Sequence, residues 1–332
     1  MLDQRDVGNR VVVRRLVGIR PNSRPLFSDL LGELVEFGDA HLVVRTSDGT
    51  RHTVPLAEVT HAKRVPPRRP APRRIAEIER AADAAWPAPT TARLGDWLLR
   101  AADGWTGRGN SALPLGDPGR PLGEAIDAVV AWYAGQGLRP MINVPLPYAQ
   151  KLDGALAARG WPHRPPTLVM TAPLPAVLAA TPSRADLGPV RLRDDPSADW
   201  LAIAAGRKGG LPAAARHLLT AVDQVRFAEV YGDSGELIAV ARGTVTEDVW
   251  FGVFLVEVVP PARRTGLARH VIGALARWAT LAGATRAYLQ VEERNTAAVA
   301  LYSRLGFTLH HHYLTRYAPE PVGGLAQGQL NS

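Results

Sequence analysis

Cysteine is absent from all 332 residues, which removes disulfide scaffolds, thiolate metal sites and cysteine nucleophiles from consideration. Nor does any apolar run approach the roughly 18 residues that a spanning helix needs, and the start, Met1 to Asp6, lacks the basic-then-apolar form of a signal peptide. The expectation is a cytoplasmic protein with no membrane contact. Basic excess is also missing from most of the chain. Most of the formal charge of +8 gathers between Lys63 and Arg80, where the seven basic residues Lys63, Arg64, Arg68, Arg69, Arg73, Arg74 and Arg80 face only Glu77 and Glu79, a local +5. Charge confined to one stretch gives no reason to expect a nucleic-acid surface elsewhere, and a weak nucleic-acid contact is left open only for residues 63–80. The length admits two or three domains with cores of their own.

What is present is organised around residues 250–307. A β-rich run from Trp250 to Val259 ends at the pair Pro260 and Pro261, and an amphipathic helix then begins near Gly266, with Leu267, Val271, Leu275, Trp278 and Ala282 on one stripe. Amides at a helix start lack intrahelical partners, and the helix dipole adds partial positive charge there, so a phosphate is a natural guest. Gly266 and Ala268 keep side chains away, while Arg263, Arg264 and Arg269 add full charges. An ordinary strand-to-helix turn with solvated arginines is the other reading of the turn alone. Downstream, Arg286 to Val291 reads as a short buried strand, Asn295 precedes a second helix, and that helix ends Leu301, Tyr302, Ser303, Arg304, Leu305, Gly306, Phe307.

The order strand, R-x-x-G-x-A turn, helix, strand, N-x-x-A, helix, L-Y-x-x-L-G-F resembles the GNAT superfamily of acyl-coenzyme A dependent N-acetyltransferases. The likeness covers about Pro189 to Tyr317, within a domain placed at residues 186–318. It implies an α+β GNAT fold, a mixed sheet flanked by helices, with acetyl-CoA as co-substrate and no metal. It also implies that Arg263, Arg264, Thr265, Gly266, Leu267, Ala268 and Arg269 cradle the pyrophosphate. Val256 and Val258 would lie on a strand splayed around the pantetheine arm, and Tyr302 would protonate the departing thiolate. Asn295 either contacts the pantetheine arm or caps the helix beginning at Thr296.

Upstream, residues 75–180 echo this pattern. Leu122, Ile126, Val129, Val130 and Tyr133 form a helical stripe, followed by a strand from Arg139 to Val144 and a helix ending before Gly160 and Trp161. The segment resembles a degenerate GNAT repeat of the tandem-GNAT kind. Asp117 to Pro121 stands where the arginine turn belongs, and Leu156 falls opposite Tyr302, so a structural or substrate-framing role is expected. Within it, Trp105 to Asn110 could line an acceptor pocket or form an ordinary Gly-rich turn. Residues 1–64 read as five short strands, with Asp48–Gly49 as a hairpin signal, and suggest a small SH3-like or Tudor-like barrel. Residues 65–74 form a basic, Pro-rich linker; residues 319–332 read as a disordered tail. A barrel, a basic linker and tandem GNAT units together resemble bacterial histone-acetyltransferase-like proteins, which makes a protein lysine a plausible acceptor beside small-molecule amines.

The chemistry asks for a base. A lysine amine of pKa about 10.4 is about one part in a thousand neutral near pH 7.4, which withholds roughly 4 kcal/mol. Glu257 is the leading candidate, with Glu247 and Asp248 at the start of the same strand; each could equally be a solvated or salt-bridged acid. The flexible loop Gly206 to Gly210 stands where the family admits its acceptor. His310, His311 and His312 invite a metal, but alternation on a strand lets at most His310 and His312 share a face, and no nearby carboxylate completes a set. The reading from a different class is an acyl-CoA-binding scaffold that contacts nucleic acid or protein through the barrel and linker.

Overall fold

The computed structural model describes residues 2–19, 24–46, 49–65, 70–208, 211–247 and 249–320, the side chains of 207 and 208 excepted. Two compact units emerge, Met1–Arg69 and Pro70–Ser332. The first carries β1 (Arg10–Ile19), β2 (Pro25–Phe37), β3 (His41–Arg45), β4 (Arg51–Pro55) and β5 (Val59–Arg64). All pair antiparallel in the order β4-β3-β2-β1-β5. Val11, Val13, Leu30, Leu34, Leu42, Val44 and Val54 alternate into one buried cluster, as strands with one wet face require. Among the described residues β4 and β5 do not pair, so the sheet is open and the closure of the expected barrel is not seen. Asp48 of the expected hairpin lies outside the described residues, as do residues 66–69 of the linker.

The second unit begins with α1 (Pro72–Ala84), the hairpin β6 (Thr90–Leu94) and β7 (Trp97–Ala101), α2 (Leu122–Gly135), β8 (Met141–Leu146), α3 (Gln150–Ala158), β9 (Thr167–Pro173) and α4 (Leu174–Ala180). It continues with β10 (Arg191–Arg193), α5 (Ala198–Lys208), α6 (Ala213–Thr220), β11 (Val225–Tyr231), β12 (Leu237–Thr246), β13 (Trp250–Val258), α7 (Leu267–Leu281), β14 (Arg286–Glu292), α8 (Thr296–Arg304) and β15 (Thr308–Tyr317). Strands β8 to β15 build one sheet in the order β10-β11-β12-β13-β14-β9-β15-β8. Strands from both expected repeats therefore share a sheet, with β9 inserted between β14 and β15. Among the strand pairs of the described residues only β13 and β14 run parallel, and a parallel pair needs a crossover helix, which α7 supplies. After β7 come a 3-10 turn from Arg108 to Asn110 and an isolated bridge of Leu98 with Leu113.

Each sheet face has its own cover. On one, Val271, Ile272, Leu275, Ala276 and Ala279 of α7 pack with α4 over Ala228, Val230, Ala239, Ala241, Phe251 and Val253. On the other, α5 and α6 bury Trp200, Leu218 and Leu219 over Phe227 and Val240, and α1 sets Ile78, Ala81, Ala82 and Ala85 over Trp250, Tyr288, Val169 and Tyr313.

The basic stretch is partly neutralised within the chain: Arg64 pairs with Asp6, and Arg74 pairs with Glu77 at 3.0 Å. The sheet also tolerates little extra volume at its centre. A Cβ on Gly252 would lie 2.7 Å from the Tyr288 hydroxyl and 2.6 Å from the Phe254 ring, whereas one on Gly154 of α3 would meet nothing within 4 Å. Gly252→Ala is expected to cost roughly 1–3 kcal/mol and Gly154→Ala to add about 0.5–1 kcal/mol. Denaturant unfolding of the two variants checks both signs.

Candidate active site

The pairing of β13 with β14 runs from Trp250↔Arg286 to Val253↔Leu289 and stops. Beyond it the strands part. Leu255 has φ +49, and opposite it β12 advances from Val240 to Arg242 while β13 advances from Glu257 back to Phe254. This is a β-bulge, which bends the strand that carries the extra residue. It turns β13 from β14 and leaves inward backbone groups without a strand partner. A left-handed leucine carries no sequence signature, so nothing in the sequence marks this position.

β13 leads into the turn. Arg263 Nε donates to the Val258 carbonyl at 3.0 Å, and Thr265 Oγ1 donates to Ala262 O at 2.7 Å. Arg264 and Gly266 both have positive φ, +68 and +98. No side chain caps α7, and the first backbone bond into its end is His270 N to Gly266 O. Among the described residues the amides of 264–269 donate to no backbone carbonyl outside regular structure. Arg263, Arg264, Thr265 and Arg269 are exposed, whereas the Leu267 side chain is core and offers only its amide. The sequence reading missed one cation here. Arg184, ion-paired with Asp186, brings Nη1 to 3.2 Å from where a Gly266 Cβ would stand, and the His270 bond to Gly188 O fastens that segment to α7. Free amides, a glycine approach and flanking guanidiniums form a donor set that suits a diphosphate.

Asn295 caps α8, its Oδ1 accepting from Ala298 N at 3.2 Å, which is the capping alternative. Tyr302 is half-buried and meets the Phe307 ring edge-on at 6.1 Å. With Val256 and Val258 it packs on the cluster beneath α7. Glu257 points the other way: it pairs with Val240, whose side chain belongs to the α5–α6 face. Glu247 sits in the exposed turn before β13, roughly 25 Å along the chain from the bulge at 3.3 Å per residue, too far to act as base. Asp248, Gly209 and Gly210 lie outside the described residues, as do the Arg207 and Lys208 side chains and residues 321–332 of the expected tail.

On the α1 face beside the parting strands lies a buried polar group no local motif announced. Pairing sets Gln290, Val169 and His311 in one row across β14, β9 and β15. His311 Nε2 meets Glu79 Oε1 of α1 at 2.9 Å, and Arg108 Nη2 lies 3.8 Å from Glu79 Oε2. Burial works to raise the Glu79 carboxyl, but the His311 hydrogen bond and then Arg108 outweigh it and hold it below the usual carboxylate range. Burial also opposes the Arg108 charge, and Tyr313 and Glu79 outweigh it. The histidine expectation needs correcting. Register slips between Leu309 and His311, so His310 is an extra residue and its Nδ1 comes to 2.9 Å from His311 Nδ1. Burial, and then the neighbouring His311, push His310 down to about 4. The carboxylate missing from the local sequence arrives from Glu79, 232 positions away.

Comparison with known proteins places this architecture. The family model described as "Probable histone acetyltransferase Rv0428c C-terminal" matches residues 73–318. "Probable histone acetyltransferase Rv0428c" of Mycobacterium tuberculosis (strain ATCC 25618 / H37Rv) is 34% identical over 328 residues, covering 94% of this chain and 95% of that protein. Among solved structures, a GCN5-related N-acetyltransferase from Kribbella flavida superposes with TM-score 0.57 at 17% identity, over 76% of this chain and 96% of its own. A tandem GNAT protein from the clavulanic acid biosynthesis pathway gives TM-score 0.51 at 16% identity, over 77% and 91%. With a broken parallel pair, a crossover helix opening on unpaired amides, and a family match over most of its length, the chain belongs to the Rv0428c C-terminal family of acetyltransferases and has the GNAT fold.

Proposed function

We propose that this chain transfers the acetyl group of acetyl-CoA to a primary amine at the point where β13 and β14 part. The observation that carries this reading is the row of amides at 264–269, free of backbone partners, at the end of a strand that has left its parallel neighbour. That turn holds the pyrophosphate, with Arg263, Arg264, Arg269 and Arg184 as counter-charges and the amides of Thr265, Gly266, Leu267 and Ala268 as donors. The unpaired stretch of β13 around Val256 and Val258 takes the pantetheine arm, and a free amide near the Leu255 bulge polarises the thioester oxygen.

The amine nitrogen attacks the acetyl carbonyl, the C–N bond forms as the C–S bond breaks, and the nitrogen loses a proton while the thiolate gains one. Tyr302 gives that proton: a phenol near pKa 10 protonates a thiolate whose conjugate acid is near 8.5 at little cost. Glu257, on the face opposite Tyr302, takes the amine proton directly or through water. Asn295 acts as cap and sets the start of α8, hence the place of Tyr302. In this reading residues 75–180 frame the acceptor, since α1 and the 102–110 loop cover the sheet beside the splay. Residues 1–64, whose strand order suits an SH3-like module, recruit or dock.

Two variants test the assignment. Gly266→Glu sets an anion against the phosphates and a side chain at φ +98, so acetyl-CoA affinity by calorimetry should fall about 100-fold or more, roughly 2.7 kcal/mol. Tyr302→Phe keeps the ring and its packing, so kcat should fall by about 100-fold while the Kd for acetyl-CoA holds. Undiminished kcat where chemistry limits the rate would return Tyr302 to the core.

A further inference from the structure

Among the described residues of this unit four arginine side chains are deeply buried, and three hold carbonyl, hydroxyl or carboxylate partners. Arg100 bonds Ser111 O, Ser111 Oγ and Asp83; Arg242 bonds the carbonyls of Leu219, Ala85 and Leu218; Arg316 bonds Asp153 and Trp161 O. Arg108 is the exception. Its side chain is 9% exposed, yet Nε, Nη1 and Nη2 make no well-aligned hydrogen bond, with only the Tyr313 side chain and the Glu79 carboxylate beside them. Its nearest carboxylate oxygen, at 3.8 Å, is beyond hydrogen-bond reach. Burying a guanidinium whose donors are poorly satisfied is unfavourable, and an oxygen ligand would relieve it.

The side chain is also held in place. Asn110 uses every polar atom to tie its loop, accepting from Ala102 N and Gly104 N and donating to the carbonyls of Trp105 and Thr106. Trp86 Nε1 adds a bond to Thr106 Oγ1. Arg108 lies 5.7 Å from the Tyr313 ring centre and is in electrostatic contact with Tyr288. Those two tyrosines flank the row that contains Gln290. Gln290 stands just past Leu289, the last residue of β14 paired with β13, and its buried Nε2 is likewise unbonded.

We propose that Arg108 and Gln290 seat a carboxylate of the acceptor, so that the chain acetylates a small amine carrying a carboxylate rather than a lysine on a protein surface. This rests on the N-acetyltransferase reading above. The planar fork of a guanidinium matches the two oxygens of a carboxylate, and the Gln290 amide adds a donor from the strand that borders the splay. Gln290 stands one residue beyond the last β13–β14 pair, so a carboxylate held by it and Arg108 lies beside the splay, within reach of the amine end of an ω-amino carboxylate. A protein lysine would send in only an ammonium, which offers Arg108 no oxygen and is repelled by it.

The test is initial-rate coenzyme A release from the full chain with ω-amino carboxylates, straight-chain alkylamines of matched length, and a lysine-rich basic protein. Wild type should prefer the amino carboxylates in kcat/KM by about 100-fold. Arg108→Met should shrink that ratio to within about threefold of unity, mostly through KM. Gln290→Leu should shrink it less, and decides the matter should Arg108→Met unfold. A preference for alkylamines or the basic protein, or a ratio unmoved in both variants, overturns the proposal. Acetyl-CoA binding without coenzyme A release on any acceptor overturns the N-acetyltransferase reading itself.

Discussion

A backbone group inside a sheet must find a partner, and this fold is arranged around the one place where two central strands deny it to each other. β13 and β14 pair for four residues and then diverge at the Leu255 bulge. Elsewhere such a gap would cost a lost hydrogen bond at each step. Here the neighbours hold it open: β12 keeps pairing with β13 on one side of the gap, and β9 with β14 on the other, through Glu292↔Thr167. The sheet stays continuous on both sides while its middle is parted.

The parallel sense of that pair has a second consequence. It forces the crossover through α7, and this directs the start of α7 to the end where the strands diverge. The anion-binding end of a helix and the parted strands thus come from one topological fact. The same topology separates chemical duties by face. Val256, Val258 and Tyr302 pack on the α7 side, while Glu257, Phe254 and Gln290 look toward α5, α6 and α1. The half-buried Tyr302 phenol and the Glu257 carboxylate thus belong to opposite faces of the sheet.

The sequence disclosed what depends on local chemistry. The stripe from Leu267 to Trp278, the side-chain-free Gly266 before α7 and the run from Leu301 to Phe307 need only a period of 3.6 and a residue without a side chain to be read. The insertion of β9 between β14 and β15 was not legible, because strand partners are chosen by long-range packing. The His310 to His312 expectation failed for a specific reason: strict alternation presumes an unbroken ladder, and β15 slips against β9 at that point.

The buried polar group shows the same limit from the other side. Glu79 looked like one more charge in a basic stretch and Arg108 like a loop residue, yet each is enclosed. What joins them is the placement of α1 and the loop fastened by Asn110 over the row Gln290, Val169 and His311. A local motif could not encode that row, since its members come from three strands, two of them paired only across the inserted β9. Residues 75–180 thus contribute Glu79, Arg108 and Val169 to the face beside the parted strands.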